Sequence, residues 1–123
     1  MFKTLFYVGL GGAIGSIFRY LTTVLVQKYY SAIFPLATFT TNVIGCFLIG
    51  VLMSWLEKNN ILNGPLKWLL VTGFCGGYTT FSTFAFENIQ LMQNQQTLWA
   101  LIYSICSIVI GIISVWLGMS IAK

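Results

Sequence analysis

Gly73-Phe74-Cys75-Gly76-Gly77-Tyr78-Thr79-Thr80-Phe81-Ser82-Thr83-Phe84 decides how this chain is read. The stretch lies in the middle of an apolar span that begins after Asn63-Gly64-Pro65 and runs to about Met92. It nevertheless holds three glycines, four Ser/Thr hydroxyls and three Phe. Gly76-Gly77 removes side-chain support for a helix, and Thr79-Thr80 compete for backbone hydrogen bonds. A break in the helix is therefore predicted here. Backbone freed at membrane depth is tolerated only when buried in protein or lining a polar cavity. Broken helices at the midplane commonly mark ion or substrate sites. The structural alternative is a glycine-rich packing seam whose hydroxyls bond back to the helix, and both readings stand on this stretch alone.

Working outward, four hydrophobic spans fill the chain, at about 4–26, 33–56, 65–92 and 97–122. Each reaches the ~20 residues that a helix needs to cross the hydrocarbon core. The runs are continuous rather than alternating, which speaks against a β-barrel. Hydrophobic residues make up 58% of the sequence and charged residues 7%; soluble domains carry about 25% charged residues. The expectation is an all-α membrane protein, residues 1–123 forming a single four-helix transmembrane domain. The first run is too long for a signal-peptide h-region. Short joining loops make neighbouring helices antiparallel, with both termini on one side.

The cations are Lys3, Arg19, Lys28, Lys58, Lys67 and Lys123. They are scattered and mostly mark the ends of apolar runs, as membrane-interface anchors do. No basic stripe exists, which speaks against nucleic acid as a partner. Lys3, Lys58, Lys67 and Lys123 share a side, and Lys28 lies opposite with Arg19 nearer that side. The bias towards cytoplasmic termini is small. Cys46, Cys75 and Cys106 sit within apolar runs at spacings that fit no metal motif or disulfide framework. They read as small buried hydrophobes. Histidine is absent. Gly11 and Gly15 form a GxxxG pair, and Gly45, Gly50, Gly111 and Gly118 mark further faces where helices can approach closely.

Other polar groups can converge on the third span. Asn42 follows Thr38, Thr40 and Thr41 in the second. Tyr103, Ser107 and Ser114 recur on one face of the fourth. Glu87 and Arg19 are ionisable residues within spans, and such residues are functional candidates by default; Arg19 has the alternative of snorkelling to the interface. No Ser–His pair, paired carboxylates or metal-ligand cluster is present, so enzyme chemistry is not expected. Hydroxyls, an amide, backbone groups and ring edges suit a desolvated ion. A phenyl edge carries partial positive charge, and Phe81 and Phe84 share a helical face. Packing in lipid or core is their structural alternative.

Three motifs carry a specific resemblance. Gly11-Gly12-Ala13-Ile14-Gly15-Ser16-Ile17-Phe18-Arg19-Tyr20, Thr41-Asn42-Val43-Ile44-Gly45-Cys46 and the stretch Gly73–Phe84 resemble the first-, second- and third-helix motifs of the Fluc (CrcB-type) fluoride channels. The resemblance covers essentially the whole chain, in order, and is most specific in the third helix.

That resemblance implies a dual-topology, antiparallel homodimer in the cell inner membrane, with two fluoride pathways along its interface. By position it implies that Phe81 and Phe84 line the pores with ring edges and that Asn42 is the pore amide. Ser82 and Thr83 lie nearby, Ser82 being the better pore hydroxyl. The carbonyls of Gly76 and Thr79 from both subunits would hold a central structural Na⁺. Arg19 would face a vestibule, and Tyr103 and Ser107 would continue a polar track with Glu87 near it. A rival reading is a proton-coupled exporter of the small multidrug-resistance type. Such a protein wants an acid in its first helix, where this chain has Arg19 and no Asp or Glu.

Overall fold

The computed structural model describes all residues from Met1 to Lys123, and every regular element is helical. Helix α1 spans Phe2–Tyr29 and α2 spans Leu36–Lys58. A π-helical segment follows over Lys67–Cys75 and passes directly into the short α3, Gly76–Tyr78. Helix α4 covers Phe81–Gln93 and α5 covers Thr97–Ala122. Three of these, α1, α2 and α5, are long and apolar enough to cross a membrane unaided. The third span is made of pieces. Pro65 and Leu66 are helical ahead of the π segment, as suits a proline whose missing N–H would have no partner in a first turn. Asn60 and Gln95 adopt left-handed backbone (φ 58° and 60°) in the two turns that flank this span.

The break falls at Thr79–Thr80 rather than at the glycines. Thr79 (φ −82°, ψ 158°) and Thr80 (φ −149°, ψ 117°) are extended, while Gly76 keeps helical angles (φ −64°, ψ −36°). The physical reason is that Gly77 serves contact instead of unwinding. A Cβ on Gly77 would meet the Gly12 carbonyl oxygen at 2.4 Å.

Backbone-to-backbone approach explains the pairing of helices. A Cβ on Gly11 would lie 2.0 Å from the Leu69 oxygen, and one on Gly15 2.2 Å from the Phe74 oxygen. The GxxxG pair is thus the seat of α1 on the π segment. On the other side α2 and α5 interlock reciprocally: a Cβ on Gly50 would lie 2.2 Å from the Val115 oxygen and one on Gly118 2.3 Å from the Phe47 oxygen. In lipid such contacts replace the hydrophobic drive. Large apolar side chains point outward along α1 and α5, and the side chains fully enclosed are Tyr103, Leu56 and Thr41. Phe34, in the α1–α2 turn, packs edge-on against Phe39 and Tyr103 with centroids 5.4 Å apart in both pairs.

Candidate functional site

The broken third span is held open by Asn42. Its Oδ1 accepts the Thr80 N–H at 2.8 Å, and its Nδ2 donates to the Thr80 carbonyl at 3.1 Å. The Thr80 N–H is the donor that an unbroken helix would give to Gly76. Its loss to Asn42 frees the Gly76 carbonyl from that bond. Thr83 N–H, which would have served Thr79, donates to Thr80 Oγ1 at 3.2 Å and makes Thr80 the N-cap of α4. The Thr79 carbonyl accepts from Arg19 Nη1 at 3.3 Å. Gly45 makes room, since a Cβ there would fall 2.1 Å from Thr79 Cγ2.

Beside the break lies a cavity of about 500 Å³ whose lining includes Asn42, Gly76, Thr79, Phe81, Phe84 and Ser107. Half of its lining is hydrophobic, and its polar side chains, Asn42, Thr72, Thr79, Thr80 and Ser107, carry no charge. The Phe81 and Phe84 rings are 5.8 Å apart with planes tilted by 39°. Phe84 meets Tyr103 in an edge contact at 4.9 Å. Ser107 Oγ is buried without a hydrogen-bond partner, and a buried hydroxyl in that state calls for a partner.

A second cavity, of about 650 Å³, opens between the α1–α2 turn and α4 and is lined in part by Gln27, Tyr30, Thr83, Glu87 and Gln90. Glu87 is anchored at its inner edge. Thr38 Oγ1 donates to Glu87 Oε1, and the Tyr103 hydroxyl donates to Oε2 at 3.3 Å. Glu87 therefore lines the outer cavity and the enclosed Tyr103 stands behind it, while Phe84 and Ser107 line the inner one.

Asn42, Phe81, Phe84, Ser107, Gly76 and Thr79 thus come together in one cavity, as neighbours in space from four separate segments. Thr83 and Glu87 line the outer cavity instead. Ser82 is exposed and lies 3.4 Å from Thr80 Oγ1. Arg19 reaches the break, its Nη1 donating to the Thr79 carbonyl. Sequence reasoning passed over three contacts: Thr38 as the partner of Glu87, the Thr22–Tyr78 hydroxyl pair at 3.0 Å, and an amide link through Asn88. The last had a visible signal, an Asn one turn beyond Phe84 inside an apolar run.

His, Cys, Asp and Glu side chains gather nowhere in groups of three or more, so a resident cation here would rest on backbone oxygen. Gly76 and Thr79 present such oxygens, released from their helical partners and carrying no formal charge. This donor chemistry suits a hard cation. The Thr79 oxygen has two lone pairs, so its bond to Arg19 leaves acceptor capacity.

Apolar helices around a neutral polar cavity, with one span broken at its level, define a small integral membrane protein of the ion-transport class rather than an enzyme. The chain belongs to the CrcB-like family: the family model described as "CrcB-like protein, Camphor Resistance (CrcB)" matches residues 6–119. It is 52% identical over 121 residues to a protein of Flavobacterium psychrophilum named fluoride-specific ion channel FluC, covering 98% of each chain. A protein of the same name from Azobacteroides pseudotrichonymphae is 45% identical over 120 residues, covering 96% of this chain and 94% of the relative. Another, from Phocaeicola vulgatus, is 40% identical over 117 residues, covering 95% and 96%.

Proposed function

We propose that this protein is a passive, fluoride-selective channel of the cell inner membrane that exports cytoplasmic fluoride and so confers fluoride resistance. The observation that carries the reading is the inner cavity, where the Asn42 amide, the Phe81 and Phe84 rings and the unpartnered Ser107 hydroxyl converge. The relatives' shared name gives the ion. Fluoride is small and strongly hydrated, so a pore must replace its water with oriented donors. Amide N–H, hydroxyl O–H and ring C–H edges do this without a full charge that would hold the ion too long. A negative-inside potential drives an anion outward by about 2.3 kcal/mol per charge per 100 mV, with no need for ATP.

Two copies in opposite orientation form the working unit in this proposal. One chain offers a cavity open on a side, and Phe81 is 79% exposed on it, so a second copy is needed to close two pathways along the interface. The same pairing would bring two sets of Gly76 and Thr79 carbonyls together. These oxygens would hold a structural Na⁺, which supplies cross-linking charge between the two broken spans. Ser82 and Thr83 would lie near each pore. Tyr103 and Ser107 would form the polar track, with Glu87 at its entrance and Arg19 bracing the break.

The proton-coupled exporter is less well supported. It needs an acid free to exchange protons and substrate, whereas Glu87 is engaged by both Thr38 and Tyr103. The deciding experiment is fluoride efflux from liposomes holding the purified protein, read with a fluoride electrode, with chloride as control. Fast fluoride efflux with negligible chloride efflux is expected. No efflux of either ion from Na⁺-supplied dimer would overturn the channel reading.

A further inference from the structure

Asn88 is a buried amide on α4, 8% exposed. Its Nδ2 donates to the Phe84 carbonyl one turn back at 2.9 Å. That bond fixes the amide's orientation and turns Oδ1 towards α5, where Ser104 Oγ donates to it at 3.0 Å. Ser104 is the neighbour in sequence of Tyr103, whose ring meets the Phe84 ring at 4.9 Å with planes at 66°. Three contacts therefore tie α4 to α5 here: the Phe84–Tyr103 ring contact, the Tyr103 hydroxyl on Glu87 Oε2 at 3.3 Å, and the Asn88–Ser104 bond. The ring contact lets the helices slide and the Tyr103–Glu87 bond is long at 3.3 Å, so the 3.0 Å Asn88–Ser104 bond is the tighter polar constraint on register. A satisfied polar link in an apolar setting is also costly to strand.

We infer that the Asn88–Ser104 link is a positioning device for Phe84: it sets the register of α4 on α5 and with it the direction in which the Phe84 ring edge faces the inner cavity. This rests on the channel reading for its functional consequence, but the ring placement can be tested without it. Neither side chain lines the inner cavity, so an effect on conduction passes through the helices that bear them, α4 with Phe84 or α5 with Ser107, and the ring readout at position 84 tells the two apart. The link contains no charge, as suits a device beside a pathway where a fixed charge would hold the ion.

The test uses the full-length protein with 4-fluorophenylalanine placed at position 84 or, separately, at position 81, and read by ¹⁹F NMR in detergent and bilayer. Ser104→Ala removes the interhelical bond and leaves the Asn88–Phe84 bond intact, and an unchanged size-exclusion profile checks that the variant folds. The expected result is a shifted or broadened signal from position 84, an unchanged signal from position 81, and fluoride efflux from unlabelled protein lowered about three- to tenfold, the scale of one lost hydrogen bond. Ser104→Thr keeps the hydroxyl and is expected to restore both readouts. An unchanged signal at position 84, equal changes at both positions, or a displaced ring with undiminished efflux would each overturn the inference. A displaced position-84 signal in a protein whose unaltered form passes no fluoride would instead retain the ring placement and remove the channel reading.

Discussion

Asn42 and Thr80 are joined by two hydrogen bonds in opposite senses, the amide oxygen accepting from the Thr80 N–H at 2.8 Å and the amide nitrogen donating to the Thr80 carbonyl at 3.1 Å. This pairing substitutes for helical bonds at the point where the third span is unwound. Asn42→Leu would strand both Thr80 groups at membrane depth, a cost of about 1–3 kcal/mol each. Asn42→Asp would keep the acceptor, lose the donor and add charge beside the cavity. We expect both to lower fluoride efflux by more than about tenfold, with Asn42→Leu also lowering the temperature at which the detergent-solubilised dimer survives. Wild-type efflux and stability in both would show that the break holds itself open.

The glycines of α1 differ sharply in what they carry. Gly9 has nothing within 4 Å of the place a Cβ would occupy, whereas Gly15 has the Phe74 oxygen at 2.2 Å. Gly9→Ala should be silent. Gly15→Ala pushes α1 off the π segment, and overpacking of this kind costs about 1–3 kcal/mol. Thermal melts of the two variants side by side check this, and equal melting temperatures would contradict the close-approach account.

Phe81 and Phe84 differ in setting though both are expected to line the pore. Phe84 is partly enclosed by Tyr103, while Phe81 is 79% exposed. Replacing either by Ile removes the positive ring edge and keeps a bulky apolar side chain. We expect Phe81→Ile and Phe84→Ile to lower fluoride efflux while the dimer persists on size exclusion. Normal efflux in both would remove the ring-edge assignment.

Much of this was legible in the sequence, and what was not has a definite cause. The span limits follow from runs of apolar residues, so α2 and α5 begin and end within a few residues of expectation. The π-helical register of Lys67–Cys75 has no such signature; it coincides with a close tertiary approach, a Cβ on Gly73 falling 2.8 Å from the Val8 oxygen. The place of the break was blurred for the same reason: Gly76-Gly77 looks like a weak helix until α1 is set against it. Among the site residues, Asn42 and Ser107 were marked by polarity in apolar spans. The direction of Arg19 was not, since a long side chain in mid-helix can reach several levels. Only the tertiary arrangement offers it the Thr79 carbonyl.

Glu87 separates the channel from the exporter. Its two oxygens are both taken, one by Thr38 and one by Tyr103. Glu87→Gln retains one carbonyl oxygen to accept from these hydroxyls and removes the exchangeable proton. A channel should keep fluoride efflux within about tenfold of wild type, the scale of one weakened hydrogen bond. That efflux should also show no dependence on an imposed proton gradient. A proton-coupled exporter should lose transport altogether. Abolished efflux in Glu87→Gln together with normal efflux in Phe81→Ile would favour the exporter.

The antiparallel pairing proposed above makes a prediction about charge that no parallel assembly shares. Lys3, Lys58, Lys67 and Lys123 stand on the side of the termini, and Lys28 near the opposite turn. Lysines near the ends of spans bias that side towards the cytoplasm. Lys28→Gln should therefore commit the chain to cytoplasmic termini. Lys3→Gln and Lys58→Gln combined with Gln27→Lys and Gln95→Lys should commit it the other way. Reporter fusions at the C-terminus would read both orientations in the unaltered protein and one in each variant. If the working unit pairs opposite orientations, each variant alone should give cells no fluoride resistance and no efflux. Co-expression should restore both, because it supplies the two orientations from separate chains. Full activity from either variant alone would mean that the copies pair in the same orientation, and the shared carbonyls of Gly76 and Thr79 would then have to meet by some other symmetry.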